Sequence, residues 1–174
     1  MGYRKMSSKK RFRIEPATPG DVALVLRFIK GLAEYEGLAD AVVATEQDLQ
    51  ESLFGARPSA EAVFAYDVNQ PGGGEPAGFA VFCQHYSTFT GRPSLYLEDI
   101  FVLPEWRGCG VGRELMVYGA GLAKARGYPR LEWSVLDWNE PAIGFYENLG
   151  AQRVDGWSTY RLSGEALERL GPPV

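Results

Sequence analysis

Arg107-Gly108-Cys109-Gly110-Val111-Gly112 is the stretch of this sequence that decides the fold. An apolar run before it, residues 95–103, predicts a buried strand, and helical periodicity after it predicts a helix over residues 112–126. Glycines in such a turn let the backbone approach a ligand, and the free N–H groups at the start of the helix face an anion. The stretch therefore predicts a phosphate-binding turn between a strand and a helix.

Composition predicts a soluble globular protein with a full hydrophobic core. The chain has 174 residues, of which 45% are hydrophobic and 23% charged, and both fractions are ordinary for a globular domain. Its net charge is −4 and its pI about 5.1, which argues against nucleic acid as a partner and suits a cationic substrate. No apolar run approaches the roughly 18 to 20 residues that cross a bilayer, so no membrane partner is expected.

The N-terminal residues and the cysteines bear on location. Residues 1–10 are rich in Lys and Arg but carry no apolar stretch, so we expect a disordered basic tail rather than a secretory signal. Residues 11–174 are then expected to form a single domain. The 2 cysteines make no disulfide framework, which favours a reducing cytoplasm.

Strand and helix signals follow one another in an order typical of a mixed α/β sheet. Strands are predicted over residues 11–15, 61–68, 77–84, 94–103, 130–136 and 156–162. Helices are predicted from Thr18 to Ala33, from Thr45 to Phe54, and over residues 112–126, 139–149 and 164–170. The glycine-rich residues 69–76 predict only a hairpin loop, because no helix follows them. Strand–helix alternation in the second half favours parallel pairing around the phosphate turn.

Two common nucleotide-binding loops do not match the glycine-rich turn. A Walker-type loop ends in Gly-Lys-Ser/Thr, whereas Gly112 is followed by Arg113 and Glu114. A dinucleotide-binding fingerprint spaces its glycines by two and then three positions and lies in the first strand–helix unit. Here Gly108, Gly110 and Gly112 are spaced by two and two, and the turn lies late in the chain.

The turn and its flanks resemble the GNAT superfamily of N-acetyltransferases. Arg107-x-x-Gly110-x-Gly112 fits the superfamily pattern Arg/Gln-x-x-Gly-x-Gly/Ala, which holds the pyrophosphate of acetyl-coenzyme A (acetyl-CoA). Further segments match in the superfamily's order and spacing: residues 97–102, 104–108, 138–141 and 145–151. From about Ile14 to Glu165 the chain resembles the diamine (spermidine/spermine) acetyltransferase family. Residues 33–36, 135–139 and 164–166 resemble its thialysine-acetylating branch.

The resemblance implies both a fold and an activity. The implied fold is the GNAT acyl-CoA N-acyltransferase fold, an α/β fold with a mixed, mostly antiparallel central sheet, parallel central strands and flanking helices. The implied activity is direct transfer of an acetyl group from acetyl-CoA to a primary amine of a small cation, such as a diamine, a polyamine or a thialysine-like amino acid. A homodimer with sites near the subunit boundary is also implied.

Two alternatives to this activity remain at the level of sequence. One is a peptide or protein N-acetyltransferase of the same superfamily, although acidic Glu36 and Asp155 favour a small cation over an open peptide groove. The other is a non-catalytic acyl-CoA-binding module, which could dispense with Tyr146, whereas this chain retains it.

By the same resemblance, two residues are predicted to move protons. Tyr146 would be the general acid that protonates the leaving thiolate. Glu98 would take the proton of the amine, whose pKa lies near the value of about 10.4 for Lys. Adjacent residues on a strand point to opposite faces, so Glu98 is expected to face the cleft and Asp99 to be structural.

The remaining site residues are implied by the resemblance alone. Tyr35, Glu36, Glu98 and Asp155 would bind the substrate cation, and Asp155 stands where the family carries Glu. The cofactor would be held mostly by main-chain groups of Ile100, Phe101, Val102, Arg107, Gly108, Cys109, Gly110, Val111, Gly112 and Arg113, with Asn139 and Tyr146. No Cys/His cluster indicates a metal, and Cys109 has no evident base that would make it a nucleophile.

Overall fold

The computed structural model describes residues 11–70 and 74–171. The basic tail predicted for residues 1–10 lies outside them, as do residues 71–73 of the predicted loop. The chain divides into two compact units, Met1–Ser134 and Val135–Val174.

The first unit is built on a five-stranded sheet in the order β1-β2-β3-β4-β5. Its strands are β1 (Phe12–Pro16), β2 (Ala60–Asp67), β3 (Gly78–Ser87), β4 (Arg92–Val102) and β5 (Leu131–Trp133). The pairs β1/β2, β2/β3 and β3/β4 are antiparallel, and β4/β5 is parallel. This mixed, mostly antiparallel sheet confirms the predicted fold class, and the parallel pair brackets the glycine-rich turn as expected. β2 and β3 pair directly as antiparallel neighbours, as the strands of a hairpin do.

Three helices of this unit begin close to where the sequence signals place them: α1 (Val22–Glu36), α2 (Glu46–Phe54) and α3 (Val111–Ala125). Before α2, the Thr45 hydroxyl accepts a hydrogen bond from the Asp48 N–H at 3.2 Å, and the Asp48 carboxylate accepts one from the Thr45 N–H at 2.8 Å. This reciprocal capping box satisfies two N–H groups that a helix start leaves unpaired. Before α1, the Thr18 N–H donates to the Asp21 carboxylate at 2.7 Å, and a short 3₁₀ turn, Pro19–Asp21, leads into the helix.

The core on one face of the sheet is aromatic. Phe28 of α1 lies 5.6 Å from Phe64 and 5.2 Å from Phe79, measured between ring centres, and Phe101 of β4 completes the group. Each of the four is at most 8% exposed. Burial of an aromatic side chain contributes about 1.5–3 kcal/mol relative to exposure, so this group fixes α1 over β2, β3 and β4.

On the opposite face, α3 lies close to the sheet because Gly119 has no side chain. A Cβ atom at Gly119 would lie 2.7 Å from Cε1 of Phe82, which is fully buried. Real Cβ contacts are longer than this, so any larger residue must push α3 away from β3. By contrast, Gly121 lies in the same helix and a Cβ there would meet nothing within 4 Å.

We expect Gly119→Ala to lower the free energy of unfolding by about 1–3 kcal/mol, the usual cost of overpacking a close-packed interior. Gly121→Ala is the matched control, and it should raise the free energy of unfolding by up to about 1 kcal/mol through helix propensity. Urea unfolding of the two variants and the wild type measures both changes. Shifts of the same sign would contradict the close approach at Gly119.

The second unit, Val135–Val174, contains α4 (Glu140–Asn148) and α5 (Gly164–Leu170). Both helices confirm the sequence prediction, and the Asn139 side chain accepts a hydrogen bond from the Ala142 N–H at 3.3 Å, as an N-cap does. The strand predicted over residues 156–162 is wrong, because the chain there has no regular structure. A strand needs a neighbour for its backbone hydrogen bonds, and the described residues of this unit form none.

Two other predicted boundaries differ from the structure. The strand predicted over residues 130–136 is only β5, Leu131–Trp133, and β3 continues to Ser87 rather than ending at residue 84. Within the described ranges, no helix is both long and apolar enough to cross a membrane.

Candidate active site

The phosphate turn (residues 107–112) has the backbone geometry that its glycines predict. Gly108 and Gly110 have φ angles of 74° and 92°, in the left-handed region where other residues are strained. A Cβ at either position would meet nothing within 4 Å, so conformation rather than space requires glycine here. Gly110 is the N-cap of α3 and brings no capping side chain. The N–H groups of Val111, Gly112 and Arg113 lack intrahelical partners by position, so they suit an anion.

A β-bulge interrupts β4 at Glu98. Val81 of β3 pairs with Asp99 and Phe82 pairs with Leu97, so no residue of β3 stands opposite Glu98. Two residues of a bulged strand oppose one on the partner, which breaks strict alternation between the faces. Glu98 is exposed and Asp99 half-buried. The expectation that Glu98 faces the cleft relied on strict alternation. Because of the bulge, alternation does not determine which of the two carboxylates faces a cleft.

The edge of β4 that faces away from β3 lacks a paired strand beyond Leu97, among the residues the structure describes, because β5 pairs only with Leu95–Leu97. On the β3 side, the Leu103 N–H donates to the Ala77 carbonyl at 3.0 Å. Backbone groups alternate along a strand, so those of Val102 and Ile100 point to the open edge. An extended chain with amide groups, such as a pantetheine arm, could pair with this edge as another strand would.

Three carboxylates are coupled by their charges: Asp99 on β4, its neighbour Glu98, and Glu36 at the end of α1. We call them the carboxylate cluster. Burial, and then the charges of Glu98 and Glu36, raise the pKa of Asp99 from 3.8 to about 6. Burial also raises the pKa of Glu36. Within the described part of the chain, the Asp99 side chain has no hydrogen-bond or ion-pair partner. A cluster of this kind lowers its energy by accepting a proton or a cation.

We expect Asp99→Asn to raise the free energy of unfolding at pH 7.5. The folded pKa of Asp99 is about 6 and the unfolded value about 3.8, so folding favours the protonated form. Stability is therefore lost as pH rises through this window, by at most about 3 kcal/mol above pH 6. Urea unfolding at pH 7.5 and at pH 4 should show the gain of the variant at the higher pH and little or none at the lower.

Asp48→Asn is the control of opposite sign for this prediction. Hydrogen bonds from Thr45 lower the pKa of Asp48, so its ionised form stabilises the folded state. That stability is present above the unfolded pKa and is lost as pH falls, so this variant should be destabilised at pH 7.5. A neutral or destabilising Asp99→Asn at pH 7.5 would contradict the assigned environment of Asp99.

The aromatic residue expected to meet a cation already contacts one within the chain. The guanidinium of Arg107 lies 4.6 Å from the ring centre of Tyr35, and its Nε donates a hydrogen bond to the Val102 carbonyl at 3.2 Å. The sequence predicts a main-chain role for Arg107 and gives no indication of where its side chain lies. Only an arginine close in sequence to an aromatic residue would have indicated such a contact, and Arg107 and Tyr35 lie far apart in the sequence.

The other predicted residues lie in the second unit. Tyr146 is in α4 and 8% exposed, with its ring centre 5.2 Å from that of Phe145. Asn139 is buried at the start of the same helix. Asp155 is exposed and forms an ion pair with Arg153 at 3.0 Å, so an internal cation already engages this carboxylate.

Histidine and cysteine side chains could indicate metal binding or a nucleophile. His85 lies on β3 and stacks on Tyr96 at 4.1 Å between ring centres. Cys109 is exposed in the phosphate turn and carries a free thiol. Among the described residues, no group of His, Cys, Asp and Glu could hold a metal ion.

Comparison with known proteins places this geometry among acetyltransferases. A family model described as "Acetyltransferase (GNAT) family" matches residues 33–151. A thialysine N-epsilon-acetyltransferase of Sus scrofa is 39% identical over 163 residues, covering 90% of this chain and 95% of that protein. An L-ornithine N5-acetyltransferase of Arabidopsis thaliana is 33% identical over 209 residues, covering 97% and 90%. The solved structure of an integron cassette protein of V. cholerae superimposes with a TM-score of 0.73 at 26% identity, covering 93% of this chain and 98% of that one.

Proposed function

Because this chain belongs to the GNAT family of acetyltransferases and is an N-acetyltransferase, we propose that it acetylates a primary amine of a small cationic acceptor with acetyl-CoA. The observation that carries the proposal is the carboxylate cluster beside the open edge of β4. A group of three acids, of which Glu36 and Asp99 are half-buried, attracts a cation, and a strand edge beside the phosphate turn suits the arm of coenzyme A.

The residues present fit acetyl-CoA by their donor chemistry. N–H groups of the phosphate turn would bind the pyrophosphate, and peptide groups of Ile100 and Val102 would bind the pantetheine amides. The Val102 carbonyl already accepts a hydrogen bond from Arg107 Nε, so a pantetheine amide would have to share it or displace the guanidinium. The proposed cofactor site is completed by the residues of the phosphate turn, Phe101, Asn139 and Tyr146. Phe101 lies between Ile100 and Val102 in the sequence. The chemistry that acetyl-CoA supplies is an activated thioester, and no metal is needed to activate it.

The proposed reaction assigns one proton transfer to each of two residues. Glu98 accepts a proton from the ammonium of the acceptor, so that the amine nitrogen can form a bond to the acetyl carbon. The carbon–sulfur bond breaks as Tyr146 donates its proton to the leaving thiolate. The nitrogen loses its second proton to water as the amide forms, and Tyr146 regains a proton from water. Glu36 attracts the cation, and Tyr35 and Asp155 complete the proposed acceptor site.

The names of the relatives narrow the acceptor class. Thialysine and ornithine are both amino acids with a second, terminal amine. A spermidine/spermine N(1)-acetyltransferase-like protein of Homo sapiens is 33% identical over 168 residues, which cover 94% of this chain and 24% of that protein. We therefore propose a diamine, a polyamine or a thialysine-like amino acid as the acceptor.

Location and assembly are part of the same proposal. The two free cysteines, one half-buried and one exposed, suit a reducing cytoplasm. A homodimer is proposed from the resemblance to the diamine acetyltransferases, with residues 11–174 as one N-acetyltransferase domain.

A thiol-release assay with acetyl-CoA tests the activity. Spermidine, thialysine, lysine and short diamines are the candidate acceptors, and a peptide with one free amino terminus is the comparison. Release of coenzyme A with a small diamine or amino acid, and not with the peptide, is expected. Release with the peptide alone would favour a peptide acetyltransferase, and binding of acetyl-CoA without release for any amine would favour a binding module. Either result would overturn the proposal.

A further inference from the structure

The side chain of Arg107 joins three elements of the first unit. Its backbone opens the phosphate turn, and its Nε donates to the Val102 carbonyl at the end of β4. Its guanidinium carbon lies 4.6 Å from the ring centre of Tyr35 in the last turn of α1, and 5.7 Å from that of Phe101. These distances are within the range of about 6 Å over which a guanidinium is attracted to an aromatic face.

Tyr35 connects this contact to the carboxylate cluster. It directly precedes Glu36, and α1 ends at Gly37, whose φ of 72° reverses the chain. The charge of Glu36 contributes to the raised pKa of Asp99, so the end of α1 belongs to the carboxylate cluster. A fixed position of the Tyr35 ring therefore restrains the last turn of α1, which also carries Glu36.

We propose that Arg107 is a positioning residue that couples the phosphate turn to the carboxylate cluster through Tyr35, so that a bound coenzyme A strengthens the binding of the amine. The proposal rests on the proposed function of both sites. A pyrophosphate held by the turn orders the backbone of Arg107, and the guanidinium then orders Tyr35 and Glu36. The conformational entropy of these residues is lost when coenzyme A binds. Binding of the amine afterwards does not have to order the same residues again.

The strength of the contact sets the size of the effect. Arg107 and Tyr35 are both partly accessible to solvent, and an exposed contact of this kind corresponds to about two- to fivefold in an equilibrium constant. Coupling is reciprocal, so the amine must tighten coenzyme A by the same factor. If the contact were purely structural, its removal would change the stability of the fold, and the factor by which coenzyme A tightens binding of the amine would be one.

The coupling factor also distinguishes positioning from direct contact. If Tyr35 only touched the amine, its loss would raise the dissociation constant of the amine equally with and without coenzyme A. The ratio of the two constants would then stay unchanged. If Tyr35 transmits the ordering of the phosphate turn, its loss brings the ratio of the two dissociation constants to one.

Isothermal titration calorimetry on the full chain tests the coupling. The probes are coenzyme A, which carries no acetyl group to transfer, and whichever of thialysine, spermidine, lysine and the short diamines supports thiol release. The dissociation constant of the amine is measured without and with saturating coenzyme A, and the reverse titration checks reciprocity. The variants are Tyr35→Leu, Arg107→Gln and the double variant, with Tyr35→Phe as the control that keeps the ring. Thermal unfolding confirms that each variant is folded.

We expect the wild type and Tyr35→Phe to show a two- to fivefold tightening of the amine by coenzyme A. Tyr35→Leu, Arg107→Gln and the double variant should all show a ratio near one, because either change breaks the same contact. A wild-type ratio near one, or a ratio that survives in Tyr35→Leu, would overturn the coupling while thiol release leaves the proposed function intact. If none of these amines supports thiol release, the proposed function is wrong and the coupling with it.

Discussion

Replacing Tyr146 with phenylalanine is expected to lower kcat by about 10²-fold or more, the usual contribution of a positioned general acid. The change removes one hydroxyl and keeps the ring, which is 8% exposed in α4 and lies beside Phe145. Packing and cofactor affinity should therefore change little. Without the hydroxyl, the thiolate of coenzyme A must leave without a proton or take one from water. Steady-state kinetics with acetyl-CoA and direct binding of coenzyme A measure the two effects separately.

Tyr128→Phe is the matched control for the loss of a tyrosine hydroxyl. The Tyr128 hydroxyl donates a hydrogen bond to the Gln84 side chain at 2.7 Å, in the first unit and outside the proposed site. Its removal should leave kcat unchanged within about twofold. Equal kcat for Tyr146→Phe and the wild type would remove the acid role. A loss of coenzyme A binding that matches the loss of kcat would make Tyr146 a cofactor contact instead.

Local signals predicted those features that neighbouring residues determine among themselves. The capping box of Thr45 and Asp48 needs only three positions of chain, and it forms as expected. The phosphate turn depends on glycine at Gly108 and Gly110, where positive φ angles are required. Such features are readable because their energy lies within one turn of backbone.

Features that depend on a partner element could not be read from the sequence. The bulge at Glu98 arises from the register between β4 and β3, which no local pattern encodes. Residues 156–162 have the composition of a strand, yet the described part of their unit offers no strand to pair with. The direction of the Arg107 side chain depends on α1, whose Tyr35 is far away in sequence.

The bulge changes what the paired acids can do. Strict alternation would bury one carboxylate and expose the other on the opposite face. With the bulge, Glu98 is exposed at the open edge, and Asp99 lies close enough for the charge of Glu98 to raise its pKa. A cation that enters the cluster meets both groups, and its charge offsets a repulsion that the free protein retains. The same arrangement that lowers stability at neutral pH therefore favours binding of an ammonium group.

Replacing Glu98 with glutamine is expected to lower kcat/KM for the amine by about 10²- to 10³-fold at pH 7, since the variant has no group at the bulge that takes the proton. The deficit should shrink as pH rises towards about 10, because the acceptor then loses its proton to water and arrives as the free amine. A pH–rate profile of the variant beside that of the wild type measures this convergence.

Glu105→Gln is the control for the loss of one negative charge near the phosphate turn. Glu105 is exposed in the short 3₁₀ turn Pro104–Trp106 that follows β4, so its removal should change kcat/KM by less than about twofold in view of solvent screening. The curve that moves distinguishes a proton acceptor from a group that only binds the cation. If Glu98 is the proton acceptor, kcat/KM of Glu98→Gln rises towards the wild type as the free amine becomes abundant. If Glu98 only attracts the ammonium, the attraction weakens as the amine loses its charge, and kcat/KM of the wild type falls towards the variant instead. A variant whose kcat/KM does not rise between pH 7 and pH 10 would contradict the base role.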